Sequence, residues 1–213
     1  VVGVVVVVVV VVVVIVVVDD DDRRIIMIIA ASTINIAGMA GNVAVSTGAG
    51  ADTVTAGTGD NNLSTGADDD SILFDSANFT SADTVAGGTG TDEISITDDA
   101  TVVDADFTLV TGIETLTLAG TGAQSVTLST LAQTAGVVTV DASAGTASTI
   151  SVSGYTTVGV TVTTGAGNDT ITGGGGADTI STGAGNDNIS AGAGNDSIRF
   201  DSANFTLADT VAG

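Results

Sequence analysis

Four aspartates stand nine residues apart, at Asp169, Asp178, Asp187 and Asp196. Each follows two glycines at fixed distance: Gly165 and Gly167, Gly174 and Gly176, Gly183 and Gly185, Gly192 and Gly194. An isoleucine lies two residues after each Asp, at Ile171, Ile180, Ile189 and Ile198. Carboxylates and bare glycine carbonyls are hard oxygen donors, a set that suits Ca²⁺ better than a transition metal. The chain has no His and no Cys, so softer ligation is not open to it. The same absence excludes a Ser-His-Asp triad, a thiol nucleophile and a zinc-protease motif. Two carboxylates could still hydrolyse a glycoside. Carboxylates at every ninth place fit a structural role instead, so no catalytic residue, no organic cofactor and no enzyme activity are expected.

A nine-residue unit is too short for a helix and a return, but it holds a tight turn and a three-residue strand. Glycine allows the positive φ angles that a stacked turn needs. In Thr170-Ile171-Thr172 only the central side chain points inward, because strand side chains alternate at period two. One Ile per unit buries too little to fold alone, so the units must stack as a solenoid. Stacking lines the aspartates in rows along the edges, where like charges repel strongly unless a cation lies between them. A flexible acidic Gly/Ser/Thr linker is the alternative. An aperiodic linker would not hold Ile at every ninth place.

The units TGAGNDTIT, GGGGADTIS, TGAGNDNIS and AGAGNDSIR, over 164–199, resemble the GGxGxDxUx nonapeptides of the RTX (repeats-in-toxin) family. The resemblance implies a calcium-bound parallel β-roll in which two nonapeptides make one coil and alternate units share an edge. Asp169 would then pair with Asp187, and Asp178 with Asp196. It further implies several Ca²⁺ ions between stacked turns, type I secretion, and folding outside the cell. The kinship suggested is with the bacterial S-layer and giant surface adhesin type.

A weaker copy occupies 38–73. GMAGNVAVS has Val43 at the Asp place, TGAGADTVT is intact with Asp52, AGTGDNNLS has Asn61, and TGADDDSIL keeps Asp70. The Asp52 and Asp70 edge is expected to be the better calcium edge. GGTGTDEIS (87–95) is a full match with Asp92, and Asp83-Thr84-Val85 before it keeps phase. Phe74 and Phe79 read as filling a wider core at an insertion. Over 96–163 the Gly-x-Gly-x-Asp turns vanish, while IETLTL, QSVTLS, VVTVD, STISVS and VGVTVT recur at about 10–12 residues. The fold class read from this is all-β, one continuous parallel β-solenoid whose middle rungs are wider and metal-free. A separate antiparallel sandwich is the alternative, opposed by the scarcity of Asn-Gly and Asp-Gly hairpin turns.

SILFDSANFTSADTVAG (71–87) returns as SIRFDSANFTLADTVAG (197–213), 126 residues on. The nonapeptides share this offset, so the chain reads as about one and two-thirds copies of a 126-residue tandem unit, cut at both ends. Its parts are 25–86, degenerate rungs ending one repeat; 87–163, one nonapeptide followed by metal-free rungs; and 164–213, the regular roll and the start of the next repeat. Residues 1–24, nearly all Val up to Val18, map by the offset onto 127–150 and should be β rungs. Their letters read as placeholders rather than the true sequence. A membrane span is the alternative for this run. Its flanks, Asp19 to Asp22 before Arg23 and Arg24, suit one poorly, and no span is expected.

The net charge is −22, from 25 acidic residues of which only Glu93 and Glu114 are Glu. Such charge argues against nucleic acid and anionic membranes as partners. Lack of Cys excludes a disulfide framework. The expected function is a calcium-stabilised structural repeat of a secreted bacterial cell-surface assembly: S-layer, sheath, filament or giant adhesin. Its partners would be further repeats or copies of itself. Two other readings stand beside it. One is the secretion module of an RTX toxin or hydrolase whose catalytic domain lies elsewhere. The other is an adhesive module presenting outward Thr and Ser to a cell-surface glycan or to ice.

Overall fold

Strands that each bury one or two side chains gain a core only by stacking, and stacking dictates the architecture. The computed structural model describes residues 15–18, 24–27, 31–200 and 208–213. In chain order the strands are β1 (Ile15–Val18), β2 (Arg24–Met27), β3 (Thr33–Asn35), β4 (Val43–Ser46), β5 (Thr53–Thr55), β6 (Asn62–Ala67) and β7 (Ser71–Phe74). They continue as β8 (Thr84–Thr89), β9 (Glu93–Ile96), β10 (Thr101–Val103), β11 (Val110–Thr111), β12 (Thr115–Leu118), β13 (Ser125–Thr127) and β14 (Thr139–Thr146). The last are β15 (Thr149–Ser151), β16 (Thr161–Ala166), β17 (Thr170–Thr172), β18 (Thr179–Thr182), β19 (Asn188–Ser190), β20 (Ser197–Phe200) and β21 (Thr210–Ala212). Among the described residues the helical elements are a 3-10 turn, Asp104–Phe107, and α1, Thr130–Ala135.

One nine-stranded sheet, β3-β5-β7-β9-β12-β14-β16-β18-β20, runs the length of the solenoid with every neighbouring pair parallel. Two six-stranded walls complete the coils, a first of β1-β2-β4-β6-β8-β11 and a second of β10-β13-β15-β17-β19-β21. In the nonapeptide regions Thr53 pairs with Ser71, Thr170 with Asn188 and Thr179 with Ser197, so two nine-residue units complete one coil. In the middle the step widens: Thr101 pairs with Ser125 and Thr115 with Thr139. The parallel pairs over 96–163 rule out an antiparallel sandwich there.

The wide coil has three sides. β9 lies in the long sheet, β10 in the second wall and β11 in the first wall, before β12 returns to the long sheet. In the next coil α1 follows β13 and packs against β11 and the 3-10 turn, where the first wall ends. Asp104 fixes α1 from the preceding coil, accepting the N–H groups of Ser129 (2.8 Å) and Ala132 (3.0 Å). Strands 126 residues apart are not all in the same sheet. β5 and β18, and β7 and β20, share the long sheet, whereas β4, β6 and β8 of the first wall correspond to β17, β19 and β21 of the second. Successive repeats therefore share one sheet and renew the wall opposite it.

The core follows from the register. Ile72, Ile94, Leu116, Val140, Val162 and Ile180 stand in line across the long sheet, each fully buried. Phe74 and Phe79 meet at 5.1 Å between ring centres where the chain inserts residues between β7 and β8, as the sequence suggests. Phe107 of the 3-10 turn joins them edge-on, 5.3 Å from Phe79. Within 1–24, β1 runs antiparallel to β2, which differs from the parallel rung expected by the offset. Only five residues separate the two strands, too few for a parallel crossover. Residues 1–14 and 19–23 lie outside the described residues.

Ile94→Ala, which empties one position of this line, should cost about 2–5 kcal/mol in urea unfolding with calcium present. Thr117→Ala, on the outer face of the same sheet, should stay within about 0.5 kcal/mol.

Candidate metal centre

Each nonapeptide strand starts at or just after its Asp, which places the carboxylate at the seam between turn and strand. Here the backbone N–H of one coil donates to the carboxylate of the next. Asp169 N–H donates to Asp187 Oδ1 (3.0 Å) and Asp178 N–H to Asp196 Oδ1 (2.9 Å). Asp52 N–H donates to Asp70 Oδ1 (2.7 Å) and Asp70 N–H to Asp92 Oδ1 (2.9 Å). The pairs Asp169 with Asp187, Asp178 with Asp196, and Asp52 with Asp70 are thus neighbours on shared edges. The ladders also run past the repeats. Ser148 N–H donates to Asp169 (2.6 Å), Val160 N–H to Asp178 (2.8 Å), and Asp92 N–H to Glu114 Oε2 (2.9 Å).

Each ladder occupies one carboxylate oxygen and hides the other. Asp52, Asp70, Asp83, Asp92, Asp169, Asp178 and Asp187 are all at most 3% exposed. The Oδ2 atoms of Asp52, Asp70, Asp92 and Asp169 are buried and accept no hydrogen bond. A buried carboxylate with an unsatisfied oxygen is costly to ionise unless a cation compensates it. The chain's only cationic side chains are Arg23, Arg24 and Arg199, and Arg199 is exposed.

The turns bring a second set of oxygens to the same seam. A Cβ on Gly183, Gly185, Gly192 or Gly194 would run into the carbonyl oxygen of Gly165, Gly167, Gly174 or Gly176, one coil earlier. Successive turns therefore stack glycine over glycine carbonyl, with no room for a side chain. Among the described residues no three carboxylates gather at one point. An ion at the seam would have to combine one or two carboxylates with carbonyls, a mixture that suits calcium.

The aspartates are not equivalent. Asp83 has both oxygens engaged: Oδ1 accepts the N–H (2.8 Å) and side-chain amide (3.3 Å) of Asn61, and Oδ2 accepts the N–H (3.0 Å) and hydroxyl (3.2 Å) of Thr80. Asp178 Oδ2 accepts Gly174 N–H (2.8 Å). Val43, at an Asp place, is simply buried. Glu114 and Gln124 hold ladder positions that the Gly-x-Gly-x-Asp pattern does not single out. A signal is nevertheless present: Glu114-Thr115-Leu116 stands where the repeats have Asp-Thr-Ile, and GTGAQSV (120–126) is a nonapeptide turn with Gln at the Asp place.

The family model described as RTX calcium-binding nonapeptide repeat (4 copies) matches residues 35–61, 46–78 and 161–199. These segments of the chain are RTX nonapeptide repeats. No curated protein and no solved structure matches it. RTX repeats bind calcium, and in this chain the matched segments form the two-strand coils at either end of the solenoid. Asp92 and Glu114 lie outside the matched segments but continue the same edge.

The RTX seams carry a sign for pH. Burial raises the carboxyl pKa of Asp70, Asp92 and Asp169 above the ordinary 3.8, against the pull of the nearby Thr164 hydroxyl at Asp169, the Thr65 hydroxyl at Asp70 and backbone N–H groups at all three, and neighbouring carboxylates raise each further. A raised folded-state pKa favours the fold while the group is protonated. That contribution is full below the unfolded value and lost as pH rises through the folded one. In EGTA, lowering the pH from 7 toward 4 should increase the thermal midpoint of any residual β-structure, as followed by circular dichroism. Gly185→Ala should destabilise the calcium-loaded protein by at least about 1–3 kcal/mol, because Gly185 has φ 153° and its Cβ would meet Gly167. Thermal unfolding in excess calcium reads that cost.

Proposed function

We propose that this chain is a calcium-stabilised structural segment of a secreted bacterial cell-surface assembly, such as an S-layer, sheath, filament or giant adhesin. The observation that carries this reading is the set of buried, unpartnered Oδ2 atoms on Asp52, Asp70, Asp92 and Asp169, in a chain without Lys or His. Asp52, Asp70 and Asp92 would hold ions along one edge. Asp169 and Asp187 would do so with the carbonyls of Gly165, Gly167, Gly183 and Gly185, and Asp178 and Asp196 with those of Gly174, Gly176, Gly192 and Gly194. Bound calcium supplies positive charge where the rows of carboxylates would otherwise repel. Without it, short strands that bury single aliphatic side chains do not offset the chain entropy of folding. Binding free energy is then folding free energy.

RTX repeats occur in secreted proteins, and the outside of a cell is where calcium is plentiful. The 126-residue repeat supports a building role, because successive copies share the long sheet and every coil adds roughly 4.8 Å to a rod. The partners this favours are further repeats or copies of the chain, joined through that sheet. The carboxylates are spent on ladders, and no catalytic role is proposed for the chain.

Circular dichroism in EGTA and then in Ca²⁺ tests the calcium role: β-structure should fall and then return. Equal β-structure in both would sink it. Antibody to the chain should label intact source cells, with the label lost after an EGTA wash. Labelling that requires permeabilised cells would overturn the surface assignment.

A further inference from the structure

Two turns of the solenoid have the RTX glycine pattern but carry an amide at the Asp place: Gly57-Thr58-Gly59-Asp60-Asn61 and Gly120-Thr121-Gly122-Ala123-Gln124. In both, the side-chain amide points back into its own turn. Asn61 Nδ2 donates to the carbonyls of Gly57 (3.2 Å) and Gly59 (2.7 Å). Gln124 Nε2 donates to the carbonyls of Gly120 (2.9 Å) and Gly122 (3.5 Å). The acceptors lie four and two residues back in each case. Counted back from each RTX aspartate, the same places are the paired glycines, for example Gly165 and Gly167 before Asp169.

We propose that Asn61 and Gln124 are built-in substitutes for the calcium ion, so that their turns close without metal and give the solenoid calcium-independent coils. The proposal rests on the calcium reading of the aspartate turns. An amide N–H₂ is a positive dipole end, and it meets the two carbonyls that an Asp, with no donor, leaves facing a second set of oxygens. Asn61 Nδ2 also reaches the carboxylate of the next coil, 3.3 Å from Asp83 Oδ1. It thus lies among two carbonyls and a carboxylate, the donor mixture a calcium ion would take. The partner carboxylate is consistent with this: Asp83, facing Asn61, has both oxygens engaged by protein, whereas Asp70, facing Asp52, keeps a buried Oδ2 without a partner. Gln124 does both jobs at once, since its Oε1 accepts Ala100 N–H (2.7 Å) as a ladder carboxylate would. Its extra methylene relative to Asn allows the amide to serve the ladder and the turn together. Asn61 has no such reach, and its Oδ1 is buried without a partner. At Asn61 the device is specific to one copy, because 126 residues after it stands Asp187.

Hydrogen exchange of the intact chain in EGTA and in Ca²⁺, with an ion count by calcium titration calorimetry, tests this. In EGTA, amides of 62–67 and 125–128 should exchange about tenfold or more slowly than those of 170–190, the ratio that one or two net hydrogen bonds would hold. In Ca²⁺ the difference should vanish. Asn61→Asp should bind one more ion than the wild type and lose its protection in EGTA. If the wild type binds calcium but both regions exchange alike in EGTA, the substitution idea is overturned while the calcium reading stands. An unchanged ion count in a folded Asn61→Asp variant would overturn it in the same way. If the wild type binds no calcium, both fall together.

Discussion

The structure depends on how a row of buried carboxylates is held. At each seam an aspartate is fixed by the backbone N–H of the preceding coil, so its position cannot relax away from its neighbours without breaking the coil itself. One oxygen is satisfied by that bond and the other, in four of the aspartates, by nothing in the protein. The remaining features follow from the need to bring compensating oxygens and an ion to that line. Turns must be tight enough to stack in register, hence glycine. Strands must be short, hence one or two inward side chains. A core this thin makes the fold contingent on what happens at its edges.

The middle of the solenoid answers the same constraint differently. From 96 to 160 the coils widen, gain a third side, and bury Phe107, Leu116, Leu118, Leu128 and Tyr155 in place of single aliphatic residues. Burying apolar area at about 25 cal/mol per Å², such coils have a driving force of their own. Polar seams persist there but use neutral or single-charged groups, Gln124, Ser148 and Glu114. The repeat thus alternates stretches stabilised by core with stretches stabilised at the edges. The handover from first wall to second happens within the core-stabilised part, where α1 fills the side on which a sheet has just ended.

Much of this is legible in the sequence, for reasons that can be named. A nine-residue period with Ile at a fixed place admits one way to bury the Ile, and two such units to a coil place Asp169 beside Asp187 and Asp52 beside Asp70. Phe74 and Phe79, five residues apart around an insertion, are the bulky apolar residues at hand to fill the wider core that the insertion opens. Other features are hidden from it. Thr130–Ala135 lacks an N-terminal side-chain cap in its own chain neighbourhood, because its N-terminal N–H groups are taken by Asp104 from another coil. Glu114 and Gln124 escape the motif because longer side chains stand at the Asp place, and only their hydrogen bonds reveal that the ladder continues through them. Asp83 keeps the nine-residue phase ahead of Asp92 but lacks the turn glycines, with Phe79 and Ser81 in their places, and Thr80 and Asn61 occupy its oxygens.

The sequence by itself determined the period, the composition of each turn, the inward residue of each strand and the chemistry of the donors, because these are local and repeat. It therefore specified a parallel solenoid with acidic edges and a calcium-type ligand set. Only the tertiary structure decided which sheet each strand joins, and so that repeats share one wall and exchange the other. It alone distinguished an aspartate with a free buried oxygen from one whose oxygens are already engaged. The physical reason is the same for both: these outcomes depend on groups about twenty residues distant along the chain, brought into contact by a coil whose length varies from rung to rung.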